Sequence, residues 1–296
     1  ELFQTSFAQG VEVGIGDDAA VISASSNKLV ATLDIAIEDV HFKSLWSSPF
    51  EIGAKLTTAN LADLFSMGAT PKYLLVGAAI SEINNSEVIT ELAQGIRSVA
   101  DKFEVSVIGG DLSKSEKMSL SITALGEIAR DPITRSGASA GDLIYLSALP
   151  GLSAAGLAIL ERGLDRPKYV VQAHLNPKLV APIKLIEVAS AMSDISDGLV
   201  SDARNIARAS KVDLNFDTNA LEASPDFKDL GELATELGVD VYNWILSGGE
   251  DHFFIATVPE KYADKNLGIQ VGKVVAGSGL ITIDGVQTQR AGYQHF

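Results

Sequence analysis

The hydrophobic period changes repeatedly along this chain, and that alternation is its strongest constraint on fold. Lys28–Ile37 and Lys72–Ile80 are β-rich runs, and Ser119–Ile128 alternates as a strand does. Between them, Val88, Leu92, Ile96 and Val99 recur at helical spacing within Ser86–Phe103. A short strand at Val105–Ile108 is predicted to end at Gly109-Gly110. The second half repeats the mixture. Helices are predicted over Ser153–Arg162, Pro177–Ala189 and Asp197–Ser210. Strands are predicted over Asp213–Asp217, His252–Val258, Leu267–Val275 and Gly279–Ile283. The turn-rich stretch from Arg130-Asp131-Pro132 to Arg135-Ser136-Gly137-Ala138 marks a boundary, giving two α/β or α+β domains over 1–135 and 136–296. Leu143 to Leu160 carries no charge, but Pro150-Gly151 breaks it and Ser147 and Ser153 interrupt it, so a strand, a turn and a helix are expected there rather than a membrane span.

Composition then narrows the chemistry. The 296 residues carry a formal charge of −15. With no Lys/Arg cluster, such a chain repels nucleic acid and anionic membrane surfaces, and divalent cations would offset its carboxylates. No cysteine is present, which excludes thiolate zinc, iron–sulfur clusters and cysteine nucleophiles. The four histidines, His41, His174, His252 and His295, have no H-E-x-x-H spacing. The first residues show neither a basic nor an apolar leader segment, so a cytoplasmic protein is expected.

Aspartate recurs beside Gly or Ser at the ends of predicted elements. The segments are Gly14-Ile15-Gly16-Asp17-Asp18, Thr32-Leu33-Asp34, Asn60-Leu61-Ala62-Asp63, Gly109-Gly110-Asp111, Ser193-Asp194-Ile195-Ser196-Asp197-Gly198 and Ser247-Gly248-Gly249-Glu250-Asp251. The first is not a dinucleotide fingerprint, because Ala20-Val21-Ile22 follows as a strand and not as a helix. Each segment alone reads as a turn. Together they fit hard oxygen ligands for Mg2+, which shares its site with substrate phosphates. A P-loop and the protein-kinase motifs are absent, so any ATP site has another architecture.

These segments, in this order, resemble the thiamine-monophosphate kinases across nearly the whole chain. Val40-His41-Phe42, Met67-Gly68-Ala69, Thr134-Arg135-Ser136-Gly137-Ala138, Pro150-Gly151 and Gly292-Tyr293-Gln294-His295-Phe296 belong to the same pattern. The resemblance implies a two-domain fold like that of aminoimidazole-ribotide synthetases, with the N-terminal domain forming a homodimer interface. It implies direct phosphoryl transfer from ATP to thiamine monophosphate, giving thiamine diphosphate and ADP. Carried over by position, Asp18, Thr32, Asp34, Asp63, Asp111, Asp194 and Asp197 would hold several Mg2+ ions. Gly110, Asp111, Arg135 and Ser196 would contact ATP, and His41, Glu250 and Tyr293 would contact thiamine monophosphate. Two positions depart from the family pattern. Leu33 stands where a hydroxyl residue is usual, and His252 stands where Tyr is frequent. The residues also leave open another enzyme of the superfamily, such as a selenophosphate or aminoimidazole-ribotide synthetase, and a non-catalytic cation-binding protein. The missing cysteine argues against the selenium enzyme. No general base is expected, because the acceptor phosphate, with a second pKa of about 6, is already ionised near pH 7.

Overall fold

The computed structural model describes residues 10–13, 21–23, 26–81, 85–290 and 292. Its contacts divide the chain into two units after Pro132. In the first, the two short strands β1 (Val11–Val13) and β2 (Val21–Ile22) pair antiparallel. The main sheet has the order β3-β6-β4-β5, formed by β3 (Lys28–Ile37), β4 (Thr70–Ile80), β5 (Ser106–Lys114) and β6 (Ser119–Ile128). Only β4 and β5 run parallel. Helix α1 (Pro49–Ser66) packs on β3, β6 and β4, and α2 (Asn85–Ala100) packs on α1. A capping box starts α1. The Ser48 side chain accepts from the Glu51 N–H, Glu51 reaches back to the Ser48 N–H, and Pro49 supplies a preset first helical residue.

Alternation gives this sheet two unlike faces. Along β6, Leu120, Ile122, Ala124 and Ile128 are buried under α1. Along β3, Thr32, Asp34 and Ala36 share that face, as the pairing of Asp34 with Ile122 requires. Leu29, Leu33, Ile35 and Ile37 point the other way and are 38–59% exposed.

The glycines do not end β5. The strand runs through Gly109 and Gly110 to Lys114, with a bulge where Ile108 is skipped in the pairing with β4. A Cβ at Gly110 would stand 2.0 Å from the Val76 carbonyl oxygen, so glycine here serves close strand approach.

The second unit holds a seven-stranded sheet, made of β7 (Leu143–Leu146), β8 (Ala191–Asp194), β9 (Val212–Phe216), β10 (Phe254–Val258), β11 (Ile269–Ala276), β12 (Ile281–Ile283) and β13 (Val286–Gln287). Its order is β13-β12-β9-β11-β7-β10-β8, antiparallel except between β12 and β9. Strands β7, β8 and β10 are buried at every residue. The helices are α3 (Leu152–Glu161), α4 (Lys168–Leu175), α5 (Ile183–Val188), α6 (Leu199–Ser210), α7 (Thr218–Glu222), α8 (Pro225–Leu237) and α9 (Val241–Ser247).

The uncharged stretch from Leu143 to Leu160 is a strand, a turn at Pro150-Gly151 and a helix, as expected. Among the described residues no helix is long and apolar enough to cross a membrane. The helix expected over Pro177–Ala189 shrinks to Ile183–Val188. Pro177 and Pro182 lack N–H donors and disfavour helical geometry in the residues before them. Helix α4, just upstream, was not predicted.

Candidate active site

Asp18 and Tyr293 lie outside the described residues. The other predicted site residues fall into groups within each unit. On β3, Thr32 and Asp34 point toward α1. The Thr32 hydroxyl donates to Asp63 Oδ2 at 2.6 Å, which ties strand to helix. Asn60, a turn before Asp63, is fully buried and its amide donates to the Leu56 carbonyl. Its Oδ1 is buried without a hydrogen-bond partner among the described residues. Leu33 is 54% exposed on the opposite face of β3. Its departure from the family pattern therefore leaves the Thr32–Asp63 side untouched.

Asp111 is placed differently. Register carries Asp34 through Ile122 and Val76 to Gly110, whereas Asp111 aligns with Gly77, Ser121 and Ile35. The sheet thus sets Asp111 on its open face, three strands from β3, where Ser113 Oγ donates to it at 3.1 Å.

His41 sits in the turn after β3. Its Nδ1 accepts the Ile37 N–H at 3.1 Å, and Glu38 holds the turn to the start of β6 by accepting from the Met118 N–H. Beside this turn lies a cavity of about 570 Å³, lined among others by Glu38, Trp46, Ile52, Glu116 and Met118. The Lys43 ammonium rests 4.4 Å from the centre of the Trp46 ring, marking that face as a cation platform.

In the second unit, two of the predicted segments are laced together. The Ile195 N–H donates to the Phe253 carbonyl, the His252 N–H to Ile195, and the Glu250 N–H to Ser196, at 2.7, 3.1 and 2.8 Å. Asp194, Ser196, Asp197 and Glu250 are thereby brought into one region. Gly292, next to Tyr293, lies with its backbone against the Asp197 carbonyl. Glu250 and His252 both adopt the left-handed conformation, with φ of 64° and 53°. Such strain is uncommon for these residues and clusters at functional loops. Arg135 is an exposed turn residue whose carbonyl accepts from Ser210 Oγ at the end of α6.

Asp202, which sequence reasoning passed over, and Asp251 and His252, whose partners it did not give, hold this region in place. Asp202, in the first turn of α6, accepts the N–H groups of Ser196 and Asp197 at 3.0 and 3.1 Å. Burial, and then the nearby carboxylates of Asp194 and Asp197, push its carboxyl up to about 7. Asp251 accepts from the N–H groups of Gly151 and Ser153 at 2.7 and 3.0 Å, capping α3 from a distance of a hundred residues. Burial pushes its carboxyl up to about 6 against those two hydrogen bonds. His252 is buried, with Nδ1 3.4 Å from Asp194 Oδ2. Its replacement of the frequent Tyr thus bears on a predicted metal ligand.

The donor set fits magnesium. It consists of carboxylate, hydroxyl and amide oxygens, with negative charge dense enough around Asp194 and Asp197 to perturb a third acid. Among the described residues no three acidic or histidine side chains converge as one metal cage. Mg2+ does not need one, since it is commonly held by one or two carboxylates with waters and phosphate oxygens completing the shell.

The N-terminal domain family of AIR synthase related proteins matches residues 16–128, and the corresponding C-terminal family matches 139–283. The thiamine-monophosphate kinase of Mycobacterium tuberculosis is 35% identical, over 97% of this chain and 86% of its own length. That of Aquifex aeolicus is 32% identical, over 95% and 92%. The solved structure of AaThiL complexed with AMPPCP and TMP superposes with a TM-score of 0.84 at 31% identity, covering 95% of this chain and 92% of that one. Nearly full-length identity to these enzymes, with both matched domains present, means that this chain belongs to the thiamine-monophosphate kinase family.

Proposed function

We propose that this protein transfers the γ-phosphoryl group of ATP to thiamine monophosphate, releasing thiamine diphosphate and ADP. The observation that carries the reading is identity of 32–35% along nearly the whole chain to thiamine-monophosphate kinases. A relative solved with AMPPCP and TMP supports the same pair of substrates.

Both substrates are phosphate anions and the protein itself carries −15, so charge must be neutralised before they can approach. Asp34, Asp63 and Thr32 in the first unit, Asp194 and Asp197 in the second, and Asp18 and Asp111 are assigned to magnesium. Bound magnesium supplies charge neutralisation between the two phosphates. Gly110, Asp111, Arg135 and Ser196 are assigned to ATP, with the Arg135 guanidinium as a planar donor for phosphate oxygens. His41, Glu250 and Tyr293 are assigned to thiamine monophosphate; the cavity lined by Glu38, in the turn that carries His41, has the size of a small-ligand site. None of these residues has to remove a proton. The reading includes a cytoplasmic homodimer joined through the exposed apolar face of β3, with residues 1–135 carrying the nucleotide and dimer functions and 136–296 completing the site.

The test is an endpoint assay. Purified protein is incubated with ATP and thiamine monophosphate, with and without magnesium, beside an Asp63→Asn variant. The thiamine esters are then separated by chromatography after fluorescent oxidation. Thiamine diphosphate is expected only with intact protein and magnesium. Folded protein that makes none under these conditions overturns the reading.

A further inference from the structure

Glu250 is half-buried on its strained loop, and one of its carboxylate oxygens, Oε2, lies 3.6 Å from Nδ1 of His174. The same ring nitrogen is 3.2 Å from Ser153 Oγ. His174 and Ser153 are 7% and 1% exposed. His174 is carried by α4, and α4 lies unusually close to α3. A Cβ at Gly156 would stand 2.4 Å from the Val170 carbonyl oxygen and 2.9 Å from the His174 Cβ. That approach presses the imidazole against Ser153. The Ser153 N–H is in turn held by Asp251, the residue after Glu250. The contacts run from Glu250 to His174, to Ser153, to Asp251, and return by one peptide bond to Glu250.

We propose that His174 is a positioning residue for the substrate, acting through Glu250. This rests on the thiamine-monophosphate reading above. A glutamate at a half-open site has three rotatable side-chain torsions, and ordering them on binding costs free energy. A buried imidazole fixed on a packed helix holds the carboxylate in one orientation before the substrate arrives. Left-handed backbone at Glu250 sets where the side chain begins, and His174 sets where it ends.

The experiment uses the full-length enzyme with magnesium and four variants: His174→Ala, His174→Asn, Glu250→Gln and the double variant His174→Ala/Glu250→Gln. Steady-state kinetics are measured for each substrate. His174→Ala is expected to raise the KM for thiamine monophosphate about tenfold, because the released Glu250 side chain must then be ordered on binding. The KM for ATP and kcat should stay within about twofold. His174→Asn places an amide nitrogen near the Nδ1 position and is expected to recover most of the loss. The double variant should be no worse than Glu250→Gln alone, because both changes remove the same restraint. An unchanged KM for thiamine monophosphate in His174→Ala overturns the proposal, and so does a double variant whose losses multiply. Should His174→Ala not fold, a second readout decides, the imidazole nitrogen resonances of His174 in wild type and in Glu250→Gln. A His174 signal indifferent to Glu250 in the substrate-free protein also overturns it. Wild-type enzyme without turnover would sink the substrate reading instead, leaving the resonance experiment to judge the His174–Glu250 coupling alone.

Discussion

Asp251 and Asp202 are both buried acids that accept two backbone N–H groups, yet their neighbours differ. Burial is the leading influence on both; Asp202 then faces Asp194 and Asp197, whereas Asp251 has His252 as a favourable neighbour and Glu250 as an opposing one. Folding raises the Asp251 carboxyl from 3.8 to about 6. Its stabilising contribution is therefore complete below pH 4 and is lost as pH rises through 6. The Asp251→Asn variant has no such titration. In urea unfolding of magnesium-free protein, the stability advantage of wild type over Asp251→Asn should shrink between pH 4 and pH 7, by up to about 3 kcal/mol at 1.36 kcal/mol per pKa unit. A gap constant across that range would show that Asp251 ionises normally. At His41 the prediction concerns rate. With no proton to remove, His41→Gln should raise the KM for thiamine monophosphate and keep kcat within tenfold. A fall of about 10²–10⁴ in kcat at saturating substrate would make His41 a general base after all.

At the scale of elements, the pairing of β4 with β5 is the sharpest test. Gly110→Ala drives a methyl into the Val76 carbonyl, while a Cβ at Gly109 meets only the Leu75 side chain at 3.0 Å. Gly110→Ala should cost about 1–3 kcal/mol in denaturant unfolding, and Gly109→Ala distinctly less. Equal costs would mean that the strands separate easily. This pairing also shows where sequence reading stops. Lys28–Ile37 was legible as a β-rich run, and Ser119–Ile128 because ten residues of alternation leave one choice of period. The continuation of β5 was not, because two glycines signal a turn unless a partner strand is known to lie against them. Helix α4 is eight residues long and opens after Pro167 without a capping side chain, so its local signal is weak and α3 supplies its support. The site divides the same way. Asp111, Asp194 and Asp197 could be proposed from local Gly and Ser context and family resemblance, Asp34 and Asp63 from their places at the ends of predicted elements and family resemblance. Asp251, His174 and His252 could not, since their partners lie 21 to 100 residues away in sequence.

For the whole molecule, the decisive surface is the open face of the first sheet. Leu29, Leu33, Ile35 and Ile37 on β3 and Leu75 on β4 are 38–59% exposed. Contiguous apolar surface of this kind marks association. Ile35→Asp is expected to sediment as a monomer where wild type sediments as a dimer, and Leu33→Asp should act alike. A wild-type protein that is monomeric at micromolar concentration would refute the homodimer. Thr32, Asp34 and Asp63 lie on the other side of the strand, so Leu33→Asp should leave the Thr32–Asp63 hydrogen bond in place. On the proposed reading, alternate residues of this ten-residue strand serve two separate roles. Substitutions within it can be judged one letter at a time, but an insertion or deletion of a single residue cannot. One frame slip would turn the carboxylate toward the proposed dimer face and a leucine toward the proposed cation side, and both proposed functions would be lost in one step. Among relatives of this chain, Lys28–Ile37 should therefore vary in spelling but never in length.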